Sequence, residues 1–169
     1  MLTEIVGYII ITTECQVIWW ELKEVFKMKL STRGRYGLKA MYQLALHYGE
    51  GPIALNNLAK KQGLSENYLE QLFSALRKEG LIISVRGAQG GYMLAKDPQH
   101  ITVGHILRTL EGNMAPVDCL TDENVKCDRE DECATKFVYA QMIDSLNNVI
   151  DSITLQDMID EQKKNEMIK

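Results

Sequence analysis

Cys119, Cys127 and Cys133 are the side chains of this chain best suited to hold an inorganic group. Thiolates favour soft metal centres, and three in one short stretch can converge on an iron–sulfur cluster or on zinc. Their Cys-x7-Cys-x5-Cys spacing is not the paired Cys-x2-Cys of zinc ribbons. Spacing alone therefore leaves a cluster, zinc and unligated thiols all open. The stretch Asn113 to Glu132 contains Pro116 and many acidic residues with little periodicity, and it reads as a loop that needs an ordering ligand. The fourth cysteine, Cys15, lies far away, and four cysteines so unevenly spread do not make a secreted disulfide scaffold.

The elements that must position this loop begin with a change of charge along the chain. Residues 28–100 carry 10 Lys+Arg against 5 Asp+Glu, residues 101–169 carry 7 against 14, and residues 1–27 carry 2 against 4. A basic half followed by an acidic half suits a nucleic-acid reader joined to a sensing or assembly element. Across its 169 residues the chain has ordinary globular composition, with 46% hydrophobic residues, and no apolar run long enough to span a membrane. The expectation is a cytoplasmic protein.

Residues 1–27 look foreign to the rest. Glu4 stands where a signal peptide would be basic, and no small-residue cleavage site follows. Lys23-Glu24-Val25 can be encoded by AAG-GAG-GTN, which contains a bacterial ribosome-binding sequence about seven nucleotides before an ATG at Met28. The segment is read as a mis-called start or a disordered extension, the alternative being a genuine extra strand or helix.

From Arg33 to Tyr48, Leu38, Met41, Tyr42 and Ala45 recur at helical spacing, and Gly49-Glu50-Gly51-Pro52 ends the helix. A short helix around Leu55, Leu58 and Ala59 is closed by Gly63, and Ser65 can cap the next one. That next helix has a buried stripe of Leu69, Leu72, Phe73 and Leu76, with Asn67, Glu70, Gln71, Ser74, Arg77 and Lys78 on its polar face. Short helix, tight turn and polar-faced helix form a helix-turn-helix pattern. Leu81 to Arg86, a glycine-rich turn and Tyr92-Met93-Leu94 then predict a β-hairpin wing, with Arg86 placed to enter a minor groove. Thr102 can cap a helix carrying Val103, Ile106, Leu107 and Leu110 that Gly112 ends. After the cysteine loop, Tyr139, Met142, Ile143, Leu146, Val149, Ile150 and Ile153 recur near heptad spacing and need a partner surface, either a second copy or the chain's own domain. Thr154 with Asp157 resembles the capped start of a last short helix.

The runs Ser31-Thr32-Arg33-Gly34-Arg35-Tyr36, Leu64-Ser65-Glu66-Asn67-Tyr68-Leu69-Glu70-Gln71-Leu72-Phe73, Leu76-Arg77-Lys78-Glu79-Gly80-Leu81 and Val85-Arg86-Gly87-Ala88-Gln89-Gly90-Gly91-Tyr92 closely resemble the IscR-type family of bacterial winged-helix transcription regulators. The resemblance runs from Met28 to about Asp160. It implies a mainly α fold with a small β-hairpin wing, a long dimerisation helix, and a homodimer on partly palindromic double-stranded operator DNA. By the same resemblance Ser65, Asn67, Tyr68 and Gln71 match DNA-contacting positions, Arg86 matches the wing arginine, and Glu70 matches a glutamate that disfavours some operators. Arg77, on the polar face of the same helix, is a further candidate for DNA contact. The resemblance also favours an iron–sulfur cluster over zinc at the three cysteines, most commonly of the two-iron, two-sulfur form.

The chain departs from the family pattern in its cysteine spacing and at two positions. The first cysteine gap is longer than in the best-known member, and Lys136 stands where a histidine follows the third cysteine there. Arg35 occupies the place of an aspartate that a nitric-oxide-sensing relative contributes from its partner subunit. The fourth ligand is thus left among a carboxylate such as Asp131, an exogenous thiol and a partner-chain group.

The expected organisation is a winged helix-turn-helix DNA-binding domain over residues 28–112 and a cluster-binding loop over 113–133. A dimerisation helix and short terminal helix follow over 134–160, then a polar, frayed tail over 161–169. The expected function is DNA-binding regulation modulated by the cluster, at genes of cluster assembly or sulfur metabolism. Two alternatives stand beside it: a cluster-free sulfur-metabolism repressor governed by a partner protein, of a kind that lacks the cysteine trio, and a zinc or thiol redox scaffold. No catalytic constellation emerges, since His47, His100 and His105 are scattered, so an enzyme is not expected.

Overall fold

Ser31 starts the first helix by accepting the backbone N–H groups of Arg33 and Gly34 at 3.0 and 3.3 Å. The resulting helix α1, Thr32–Leu46, turns Gly34, Gly37, Ala40, Met41, Leu44 and Ala45 inward. The structure, a computed structural model, describes residues 30–87, 89–120 and 132–168. The expectations for residues 1–27, for Cys127 and for Asp131 lie outside the described residues.

Helix α2, Leu55–Gln62, and helix α3, Glu66–Lys78, form the helix-turn-helix. Gly63 makes the turn at φ 64°, a left-handed conformation that costs a glycine nothing, and Leu64 N–H reaches back to the Ala59 carbonyl at 3.0 Å. Strands β1, Ile82–Val85, and β2, Gly91–Leu94, pair antiparallel from Ile82 opposite Leu94 to Val85 opposite Gly91. Ile53 adds a bridge to Tyr92 through two 2.9 Å backbone hydrogen bonds, which ties the wing to the segment before α2. The chain thus has the winged-helix architecture expected, mostly helical with a two-stranded hairpin.

Helix α4, Val103–Glu111, packs along α1, and the small Gly34 and Gly37 let it come close. A methyl group on either glycine would collide with the side chain of Glu111 or Leu110. Glu111 uses one carboxylate oxygen to accept the Ser31 N–H at 3.0 Å, the Ser31 hydroxyl at 2.8 Å and the Gly34 N–H at 2.9 Å. The C-terminus of α4 is therefore fastened to the N-terminus of α1.

Helices α5, Ala134–Ser152, and α6, Leu155–Met167, follow. Their junction is stitched to the start of α4, with Val103 N–H on the Ile153 carbonyl at 2.8 Å and Leu155 N–H on the Ile101 carbonyl at 3.0 Å. The main core joins Met41, Leu44, Leu58, Leu69, Leu72, Phe73, Leu76, Ile82, Ile101 and Ile106 with Leu155 and Ile159 from α6. A smaller cluster of Val103, Leu107 and Ile150 lies between α4 and α5, with Leu146 and Ile153 packed against it.

Two expectations need correcting here. The tail after Asp160 is not frayed, because α6 continues to Met167. Gln156–Asp160 and Gln162–Glu166 hydrogen bonds at 2.9 and 2.7 Å span its exposed turns, and Tyr42 of α1 bonds Gln162. Nor does the apolar stripe of α5 meet a single partner surface, as a second copy or the chain's own domain alone would require. Ile150 is buried against α4, with Leu146 and Ile153 beside it, while Met142 and Val149 are exposed and Tyr139 and Ile143 half-exposed. Phe137 and Val138, absent from the expected stripe, are exposed as well.

Candidate nucleic-acid interface and metal centre

Helix α3 presents its polar face because its apolar residues are consumed by the core: Leu69, Leu72, Phe73 and Leu76 are all buried. Ser65, Asn67, Glu70, Gln71, Ser74 and Arg77 are exposed in consequence. The Ser65 hydroxyl caps the helix by accepting Tyr68 N–H at 3.3 Å, so its contribution is to fix the helix start. Tyr68 is half-buried and meets the Tyr36 ring edge-on, with centroids 6.3 Å apart.

The wing is held against the same helix. Phe73 and Tyr92 rings meet at 4.8 Å and 70°, and Arg77 Nη1 donates to the Ser84 hydroxyl at 3.4 Å. Asn67, Glu70, Gln71, Ser74, Arg77 and Tyr92 line one shallow depression between helix and wing. Arg86 is exposed where β1 leaves the sheet, before the turn that Gly90 N–H closes on the Gly87 carbonyl at 2.9 Å. Of the residues expected to address DNA, Asn67, Glu70, Gln71 and Arg77 thus share one face, with amide, carboxylate and guanidinium groups suited to base edges and phosphates, while Ser65, Tyr68 and Arg86 are not among the residues that line it. Ser84 and Tyr92 belong to that face too. Sequence reading passed over them because alternate residues of a short strand look like sheet surface or core.

Of the three cysteines, Cys119 and Cys133 lie among the described residues, and each thiol is partly exposed. Cys119 sits in a 3-10 turn, Asp118–Leu120, that packs against α5, the helix that Cys133 opens. The Thr135 hydroxyl, 3.2 Å from Cys133 Sγ, holds that thiol below its ordinary range, helped by the backbone N–H groups and charge at the helix start. Two accessible sulfurs on adjoining elements, one biased toward thiolate, fit a thiophilic group such as an iron–sulfur cluster or zinc. The histidines do not join them: His47 pairs with Glu50 at 2.6 Å and His105 with Glu79 at 3.3 Å. Among the described residues no three His, Cys, Asp or Glu side chains gather as a metal site. No helix among them is long and apolar enough to cross a membrane.

Comparison with known proteins agrees with this geometry. The family described as Rrf2, iron-dependent transcriptional regulator, matches residues 30–161. The HTH-type transcriptional regulator CymR of Bacillus subtilis (strain 168) is 47% identical over 131 residues, which cover 78% of this chain and 89% of CymR. The solved structure of T. potens IscR superposes with a TM-score of 0.68 at 48% identity, covering 82% of this chain and 90% of that one. The structure of CymR, described as the global cysteine regulator of B. subtilis, gives 0.67 at 44% identity, covering 78% and 96%. These relatives are named as regulators and not as enzymes. With its winged-helix fold and its polar recognition face, the chain belongs to the Rrf2 family of DNA-binding transcription regulators.

Proposed function

We propose that this regulator acts as a homodimer whose operator binding responds to an iron–sulfur cluster held by Cys119, Cys127 and Cys133. The observation that carries the reading is the placement of two partly exposed thiols on adjoining elements, with Cys133 disposed toward thiolate. A bound cluster supplies a centre sensitive to oxidants and to iron supply. The chain's own residues do the rest. Asn67, Tyr68, Glu70 and Gln71 address the major groove, Arg77 steadies helix against wing, and Arg86 reaches toward the minor groove. Glu70 acts by exclusion, since a carboxylate in a groove is tolerated only where a cytosine amino group meets it. Two heads related by a twofold axis engage two half-sites. Genes of cluster assembly or sulfur metabolism are the targets this reading favours.

A second reading, a cluster-free sulfur-metabolism repressor governed by a partner protein, is favoured by the likeness to CymR only as far as that relative is described as a global cysteine regulator. One experiment separates the two. Protein purified without oxygen is assayed for iron, sulfide and zinc, and its operator affinity is compared with that of a variant with all three cysteines replaced by serine. Iron and sulfide lost together with a change in affinity supports the cluster reading. Stoichiometric zinc without sulfide overturns it, and unchanged occupancy in a metal-free variant favours the partner-controlled repressor.

A further inference from the structure

The end of α3 that would enter a groove is poor in positive charge. Glu66 and Glu70 stand in its first two turns, while its cations, Arg77 and Lys78, lie in the last turn. At 1.5 Å of rise per residue, those cations are on the order of 15 Å from the helix start. Phosphates flanking that start must therefore be met by a neighbouring element, because phosphate neutralisation dominates affinity for a duplex.

One such neighbour is α2, with Lys60 and Lys61 exposed in its last turn, and another is α1, which touches α3 through the edge-on Tyr36–Tyr68 pair. Around Tyr36 the side chains of Arg33, Arg35 and Lys39 are all exposed, and no Asp or Glu occurs from Leu30 to Tyr48. Lys39 Nζ lies 5.9 Å from the Tyr36 ring centroid, and Arg35 Nε donates to the Ser31 carbonyl at 3.4 Å. The Nη groups of Arg35 are further donors, of a kind that an anion accepts. Holding this basic flank in place is Glu111, whose single oxygen gathers Ser31 and Gly34 at the helix start. The next residue, Gly112, opens the stretch that leads to Cys119.

We propose that the first two turns of α1 form a phosphate-gripping flank of the DNA interface, positioned beside the reading helix by Glu111. The inference rests on the reading of α3 as the helix that addresses base edges. It extends the contact surface beyond that helix and the wing onto the helix that meets α3 at the Tyr36–Tyr68 pair, with charge of the sign that phosphates require.

The test measures binding of the full chain across a salt series. Its probes are a short duplex selected by the wild-type protein from a random pool and an unrelated duplex of equal length. For Arg33→Gln with Arg35→Gln, the slope of log affinity against log salt becomes shallower by about 2 per bound protomer on both duplexes, with sequence preference unchanged. An unaltered slope overturns the proposal. Glu111→Ala weakens binding to both duplexes and flattens the slope, while Glu111→Gln, which keeps the accepting oxygen, restores wild-type behaviour. A Glu111→Ala protein with lowered thermal stability but unaltered affinity and slope makes Glu111 merely structural and overturns its positioning role. Gln71→Ala is carried alongside: if it leaves base preference intact, the reading of α3 fails, whatever the arginine variants show.

Discussion

Gly91 leaves no space for a methyl group. A Cβ there would press into the backbone carbonyl of Ile53 and the amide of Ala54, atoms that cannot rotate aside as the tip of a side chain can. The constraint arises because Tyr92, the next residue, exchanges two backbone hydrogen bonds with Ile53. Gly91→Ala is therefore expected to prise the wing from the segment before α2 and to destabilise the protein by about 1–3 kcal/mol. Urea unfolding measures the loss, and amide exchange at Ile53 and Tyr92 locates it. Unchanged protection at those two amides would show that the wing does not depend on this approach. The same displacement moves Tyr92 and Ser84 relative to Arg77, so operator affinity should fall further than stability alone explains.

At the scale of elements, α6 shows how a helix that looks dispensable is held. Leu155 is fully buried and Ile159 nearly so, both within the main core. Leu155→Ala is expected to cost about 2–5 kcal/mol, as large-to-small changes at closed sites do. The helix start adds a pH dependence. Asp157 accepts the Thr154 hydroxyl at 2.6 Å and its N–H at 2.8 Å, which holds the carboxyl below its usual range. A depressed folded-state pKa contributes stability that is fully present above the ordinary carboxylate pKa and is lost as pH falls through the lowered one. Asp157→Asn should therefore cost stability near neutral pH and match the wild type in strong acid, where both side chains are uncharged. Parallel losses at every pH would refute the linkage. Capping chemistry is also what made these elements legible in the sequence. Ser65, Gly63, Thr102, Gly112 and Thr154 mark helix ends by bonds to residues a few positions away, and the structure places each at such an end. The extension of α6 to Met167 was not legible, because its core contacts, Leu155, Met158 and Ile159, all fall in its first two turns and Gln162 is tied to Tyr42, 120 positions earlier. The Glu111 clamp was hidden for the same reason, since its partner Ser31 lies 80 positions away.

For the molecule as a whole, the question is what covers α5. Helical periodicity announced one apolar stripe, but a period cannot say how many neighbours share it. The structure divides the stripe: Leu146, Ile150 and Ile153 turn toward α4, and Phe137, Val138, Met142 and Val149 face outward. Val138, Met142 and Val149 fall on one side of the helix, at intervals of four and seven residues. Phe137 is 71% exposed and Val149 56%, far more than side chains of their kind retain in a finished core. An outward apolar seam on a long helix is the surface that a second copy would bury, bringing two reading heads onto one operator. For the homodimer proposed above, Val138→Glu with Val149→Glu should thus yield monomers by sedimentation equilibrium where the unaltered chain gives dimers. Because neither side chain is buried in the protomer, each substitution should change protomer stability by no more than about 0.5 kcal/mol. The monomers should lose cooperative occupancy of a two-half-site operator while keeping the salt-dependent binding of a single head to unrelated duplex. A variant that stays dimeric would show that the copies meet elsewhere. A variant that unfolds would instead place these valines in the protomer's own core, contrary to their exposure.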